Sequence, residues 1–246
     1  MLKEKKTLIL IALLSAFSIA TIACIIIIVL QVNSYAKTKK EYTDLNDYVV
    51  EETEPDVTPG RHINTYVSDS SDTKGPGVDP EHKSYELPKV SINFSALVTT
   101  NPDTIGWIYI PTLDLSYPIV QSHDNDDYVH ASFNGTESKA GCIFNDCRVA
   151  VPFSQKTILY GHNMKNGTMF HGLFEIEKDP SKHPDVWIYQ TNGAIGHYVI
   201  SEVKRVDMLD KDVYGVSSMP NTQVVLSTCV KNTKRLVVIL EKDWSY

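Results

Sequence analysis

Four cysteines in 246 residues are too few and too scattered to staple a small secreted fold together. Cys24 lies inside an apolar run, and Cys229 has no evident partner. Cys142 and Cys147 would stand roughly 16 Å apart on an extended strand, beyond bridging range. A bend after Asn145 would bring them closer, so a local bridge stays open as an alternative. The chain has no Cys-x-x-Cys and no His-x-x-x-His pair, which removes the common zinc spacings, and it has no glycine-rich phosphate loop. Asp124, Asp126 and Asp127 crowd one loop but lack the full Asp-x-Asn-x-Asp-Gly pattern and distal Glu of a calcium loop. That loop reads as a solvated turn, and neither a metal nor another cofactor is expected. Excess positive charge is also missing. A net charge of -7 argues against nucleic acid as a partner. No internal repeat is present.

One long hydrophobic run is present. Residues 7–32 are almost uninterruptedly apolar, with no charge between Lys6 and Lys37. That exceeds the ~20 residues needed to cross a bilayer as a helix. A secretory signal would have an apolar core of about 7–15 residues and would be removed. Ser34-Tyr35-Ala36 weakly matches a cleavage site, so removal is the alternative to an uncleaved signal anchor. Lys3, Lys5 and Lys6 before the run are balanced by Lys37, Lys39 and Lys40 after it. The acidic stretch that follows (Glu41, Asp44, Asp47, Glu51, Glu52, Glu54 and Asp56) favours an outer position and an N-terminus inside. Residues 1–6 then form a cytoplasmic tail. Residues 33–86, marked by Pro55, Pro59, Gly60 and Gly75-Pro76-Gly77, form a polar acidic stalk.

From residue 87 the composition is that of one folded domain. Ser91 to Thr99 carries Ile92, Phe94, Leu97 and Val98 and reads as a short helix. Eight short β-rich segments follow: 105–110, 117–120, 141–144, 157–160, 186–190, 197–206, 223–229 and 235–241. Asn192-Gly193 is a hairpin signal between two of them. Eight strands with only brief helical inserts predict a mainly β protein, a closed or nearly closed eight-stranded barrel.

Three residues carry candidate chemistry. Cys229 ends an apolar strand just after Ser227 and Thr228, where polarity rises toward a rim. The plainer reading is a small buried hydrophobe. Arg235 opens the next apolar run and would stand beside Cys229 if the two strands pair through the intervening turn. A guanidinium there would favour the thiolate that attacks a carbonyl carbon and would donate to a developing oxyanion. His162 follows Gly161 at the exit of another apolar strand, which presents an imidazole suited to acid and base work at a tight turn. His62, His82, His123, His130, His171, His183 and His197 read as solvated.

Several runs together resemble the sortase family, class B in particular. They are Asn101 through Pro111, Tyr117-Pro118-Ile119-Val120-Gln121, Gly141 through Asp146, Tyr160 through Phe170, and Leu226-Ser227-Thr228-Cys229 with Arg235. The resemblance covers about residues 92–241, and residues 87–246 would be the catalytic domain. It implies a membrane-anchored cysteine transpeptidase of Gram-positive bacteria with an eight-stranded barrel on the extracellular face. Such enzymes cut a C-terminal sorting motif of secreted proteins after its threonine, hold the acyl part as a thioester, and pass it to an amine of the cell-wall precursor or of a pilin. By that resemblance Cys229 is the nucleophile, His162 the acid/base and Arg235 the group steadying carbonyl and oxyanion. Asn125, Ser227 and Thr228 would contact the sorting peptide. The chain departs from class B in the link from Val206 to Thr222, where those relatives carry a sizeable helix, and in a short Cys229-to-Arg235 loop. Both segments shape the peptide groove, so the motif read stays open.

Three alternatives share parts of this reading. A pilin-polymerising enzyme uses the same residues, as does a cysteine peptidase with water as acceptor. A non-enzymatic anchored binding module would leave Cys229 structural. The C-terminal run Leu240 to Tyr246 has no apolar anchor or basic tail, so the chain is not expected to be a sorted substrate itself.

Overall fold

Short β-branched segments cannot bury both faces alone, and in this chain they do so by closing on one another. The computed structural model describes residues 2–51, 87–217, 220–231 and 233–245. In chain order these form α1 (Leu2–Leu45), β1 (Val49–Glu51), β2 (Val90–Ile92), α2 (Phe94–Thr100), β3 (Thr104–Ile110), β4 (Leu115–Val120), β5 (Ile143–Asn145) and β6 (Thr157–Tyr160). There follow α3 (Leu173–Lys178), β7 (Val186–Gln190), β8 (Ile195–Asp207), α4 (Lys211–Tyr214), β9 (Val224–Lys231) and β10 (Lys234–Ser245). Strands β3 to β10 form a closed barrel in the order β10-β8-β7-β3-β4-β5-β6-β9. All eight predicted segments are present as these strands.

The barrel interior is filled by side chains such as Trp107, Ile119, Leu159, Leu226, Leu236 and Leu240, all fully buried. Each such burial contributes about 1.5–3 kcal/mol relative to exposure. The Asn192-Gly193 turn joins β7 to β8, with Gly193 at φ +88°, where an L side chain would be strained. Two neighbouring pairs run parallel, β4 with β5 and β6 with β9. A parallel pair places both strand exits at one end of the barrel. For β6 and β9 the register sets Tyr160 opposite Ser227.

The N-terminal half differs from the expectation in two places. α1 is one uninterrupted helix of 44 residues, long and apolar enough to cross a membrane by length and composition. It does not give way to a stalk at residue 33. Its last turns dock on the barrel, where Tyr42 and Leu45 join the core. The Tyr42 hydroxyl donates to the Gly141 carbonyl, and its ring meets Tyr117 edge-on at 5.4 Å. β1 then pairs with β2, Val49 opposite Ile92. Interspersed Tyr35, Tyr42 and Leu45 supply an apolar stripe that the acidic composition masked. Residues 52–86 of the expected stalk lie outside the described residues. The predicted helix at 91–99 begins later, at Phe94. Asn93 caps it by accepting from the Ala96 N–H at 3.1 Å, and residues 90–92 are taken up in the β1–β2 pair.

Candidate active site

The parallel register of β6 and β9 has a chemical consequence. Two residues beyond the Tyr160–Ser227 pair lie His162 on one strand exit and Cys229 on its neighbour. β10 runs antiparallel on the other side of β9, and there Arg235 is the direct partner of Cys229. A register shift between Lys234 and Arg235 sets that pairing. Thiol, imidazole and guanidinium therefore share one barrel rim. All three are half-buried and line one cleft of about 330 Å³. The guanidinium Nη1 of Arg235 donates to the Cys229 sulfur.

Backbone and side-chain bonds hold the two exits together. Gly161 N–H donates to the Ser227 carbonyl at 3.1 Å, Thr228 Oγ1 to the Gly161 carbonyl at 2.8 Å, and Asn163 Nδ2 to the Cys229 carbonyl at 3.1 Å. Gly161 itself allows no side chain, since a Cβ there would come within 2.5 Å of Ile143 Cδ1 and 2.7 Å of Phe170 Cδ2. His162 Nε2 contacts the Val129 carbonyl at 2.9 Å. A carbonyl only accepts, so this bond puts the proton on Nε2 and leaves Nδ1 as the basic nitrogen of the neutral ring. The ring also stacks on His130, with centroids 6.0 Å apart.

The remaining expected site residues line the same cleft. Asn125 Oδ1 accepts from the Cys147 N–H at 2.8 Å, which ties the loop after β4 to the segment after β5. Ser227 is buried, its hydroxyl 2.8 Å from the Tyr214 hydroxyl. The Thr228 hydroxyl stitches the strand exits, as above. Tyr160 and Tyr214, which the sequence reading did not single out, form another part of the wall. Their rings stack with centroids 6.2 Å apart. Tyr160 directly precedes Gly161-His162, and that adjacency was the available signal. Tyr214 gave none, because α4 is a single turn inside a polar link.

Elsewhere the histidine reading needs two corrections. His197 is 1% exposed, held between Asp185 at 2.9 Å and Asp243 at 3.3 Å and packed on Trp187 at 4.6 Å. His183 is buried against the Thr112 hydroxyl at 2.8 Å. Both rings found polar partners from other elements, which no local pattern announces. His62 and His82 lie outside the described residues. His123, Asp124 and Asp127 cluster on the surface, where Asp124 Oδ1 accepts from the backbone N–H groups of Asp126 and Asp127 at 2.8 and 3.0 Å. All four cysteines are free thiols.

Comparison with known proteins gives the same direction. A family profile described as the sortase domain matches residues 108–243. Sortase B of Listeria monocytogenes is 46% identical over 81 residues, 32% of this chain and 33% of that protein. Sortase B of Staphylococcus aureus is 31% identical over 133 residues, 53% of each chain. The matches thus span a third and about half of these two curated relatives. Among solved structures, sortase B of Bacillus anthracis superposes with a TM-score of 0.58 at 23% identity, covering 85% of this chain and 97% of that one. That superposition speaks for the shared barrel alone.

Proposed function

The chain belongs to the sortase family, and on that premise we propose that it is a class B cysteine transpeptidase held at a membrane by α1. The observation that carries the reading is the convergence of Cys229, His162 and Arg235 on one cleft through the β6–β9–β10 register. Cys229 passes its proton to His162 Nδ1, the thiolate attacks the carbonyl carbon of a peptide bond, and Arg235 donates to the carbonyl oxygen as negative charge develops there. The carbon–nitrogen bond breaks, and His162 gives a proton to the leaving amine. The acyl group stays on sulfur as a thioester. An incoming amine then adds to the same carbon, its proton passes to His162, and the carbon–sulfur bond breaks to release thiolate. Atoms and charge balance with no further reactant.

The acyl donor is a secreted protein with a C-terminal sorting motif cut after threonine, and the acceptor is an amine of the cell-wall precursor. Residues 7–32 serve as the bilayer anchor, residues 1–6 face the cytoplasm and residues 87–246 act on the outer face. Asn125, Ser227 and Thr228 shape the donor groove. The test uses the full chain in detergent micelles with a panel of sorting peptides and an oligoglycine or diaminopimelate-containing amine. A thioester adduct on Cys229 and an amine-ligated product are expected, with ligation exceeding hydrolysis. Absence of any adduct across the panel, or full turnover in Cys229→Ala, would end the proposal.

A further inference from the structure

Behind the cleft wall lies a carboxylate that the acyl-transfer steps do not use. The side chain of Asp146, just past β5, has no solvent exposure. Its Oδ1 accepts from Arg148 N–H at 3.0 Å and Arg148 Nε at 2.8 Å. Its Oδ2 accepts from Arg148 Nη2 at 2.7 Å and from the Tyr160 hydroxyl at 2.8 Å. Burial pushes the carboxyl up, but the Arg148 and Tyr160 donors outweigh it and hold Asp146 below the usual carboxylate range. The anion is therefore the resident form, and a buried anion is tolerated only when so fully paired.

The two partners of this anion both lead to the cleft. Tyr160 lines it directly. Arg148 Nη2 also donates to the Tyr214 carbonyl at 3.2 Å, which pins the polar link between β8 and β9 at its single helical turn. The Tyr214 hydroxyl is spent on Ser227, and the Tyr160 hydroxyl on Asp146. The stacked pair thus meets the cleft with ring carbon, its polar ends already engaged inside the protein.

We propose that Asp146 is a positioning residue which, with Arg148 as relay, holds Tyr160 and Tyr214 as a preformed wall of the peptide groove. The inference rests on the transpeptidase reading for what the groove takes, an acyl-donor peptide. It concerns the link from residue 208 to 217, whose helix is the single turn α4. Val213 and Tyr214 of that turn pack against Ile158, Val206, Val225 and Val237, and Arg148, paired with the buried Asp146, adds a polar tether at the Tyr214 carbonyl.

The experiment compares Asp146→Asn, Asp146→Ala and Arg148→Gln in the full chain in micelles. Backbone hydrogen exchange across residues 208–217 is expected to rise about tenfold, with β8 and β10 unchanged as internal reference. Peptide KM is expected to rise about tenfold while kcat stays within about threefold. Arg148→Gln leaves the Asp146–Tyr160 bond in place and is expected to loosen the link without exceeding the Asp146 variants. Unchanged exchange in Asp146→Asn and Arg148→Gln overturns the proposal, as does a fall in kcat at constant KM. Should the unmodified chain transfer no peptide, the transpeptidase reading fails while exchange still decides the wall. If Asp146→Ala does not fold, the other two variants carry the test.

Discussion

Two thiols sit at strand ends of the same barrel, and their surroundings set them apart. Cys142 precedes β5 beneath the docked end of α1 and is 1% exposed. The Tyr42 hydroxyl lies 3.6 Å from its sulfur, and burial pushes its pKa up to about 12. Cys229 lies two residues before the end of β9, half-buried in an open cleft, with a guanidinium on its sulfur. One region excludes water and keeps its thiol neutral and inaccessible. The other opens to a groove, with an arginine and a histidine on the neighbouring strands. A reactive cysteine here is a matter of which strand edge faces the cleft.

That contrast can be broken most sharply at Cys229 itself. Cys229→Ala is expected to lower peptide transfer by about 10⁴-fold or more, read as product formed by the full chain. Cys142→Ala is expected to keep transfer within a few-fold, and the reverse outcome would exchange the two roles. Next in size is the cation. Arg235→Ala is expected to cost about 10²–10³-fold in kcat, the range seen when one donor to a developing oxyanion is removed. An unchanged kcat would leave Arg235 a strand residue and no more.

The docked region is tested from the other side. Tyr42→Ala removes a buried ring and the bond to Gly141, and is expected to destabilise the barrel by about 3 kcal/mol in denaturant titration. It is also expected to expose Cys142 to thiol reagents while Cys229 labels as before. If Cys142 stays unlabelled, the barrel rather than Tyr42 shields it. The last test is a pH dependence. The folded state holds the Cys142 proton up to about 12, whereas an unfolded thiol loses it near pH 8.5. The contribution is therefore complete below about pH 8.5 and is lost as the pH rises from there toward 12. Cys142→Ala should flatten this alkaline decline, and an unchanged slope would assign it to other groups such as Tyr42, whose pKa burial also raises.

Much of the barrel was legible because strand alternation and turn residues are local signals. The 186–190 strand, the Asn192-Gly193 turn and the long strand after it follow directly from β-branched runs and a left-handed glycine. The docking of α1 was not legible. Tyr42 and Leu45 sit among Lys39, Lys40, Glu41 and Asp44, and a composition dominated by charge reads as solvated unless the face of the helix is known. His197 misled for a related reason, since Asp243 comes from a strand distant in sequence. In the candidate site, Cys229, His162 and Arg235 each stood at a strand end or a tight turn, positions that sequence can mark. Asp146, Arg148 and Tyr214 did not, because their meaning lies in contacts with one another.

By itself the sequence determined that a long apolar run precedes a β-rich domain, and that one thiol, one imidazole and one guanidinium occupy strand edges. Periodicity and turn chemistry act over a few residues, so they can be read without a fold. Only the tertiary structure decided that β6 lies parallel to β9 and brings His162 and Cys229 to one rim, and that Asp146 is buried against the Tyr160 hydroxyl. Strand order and buried pairing depend on which distant surfaces exclude water together, and no local stretch of chain encodes that alone.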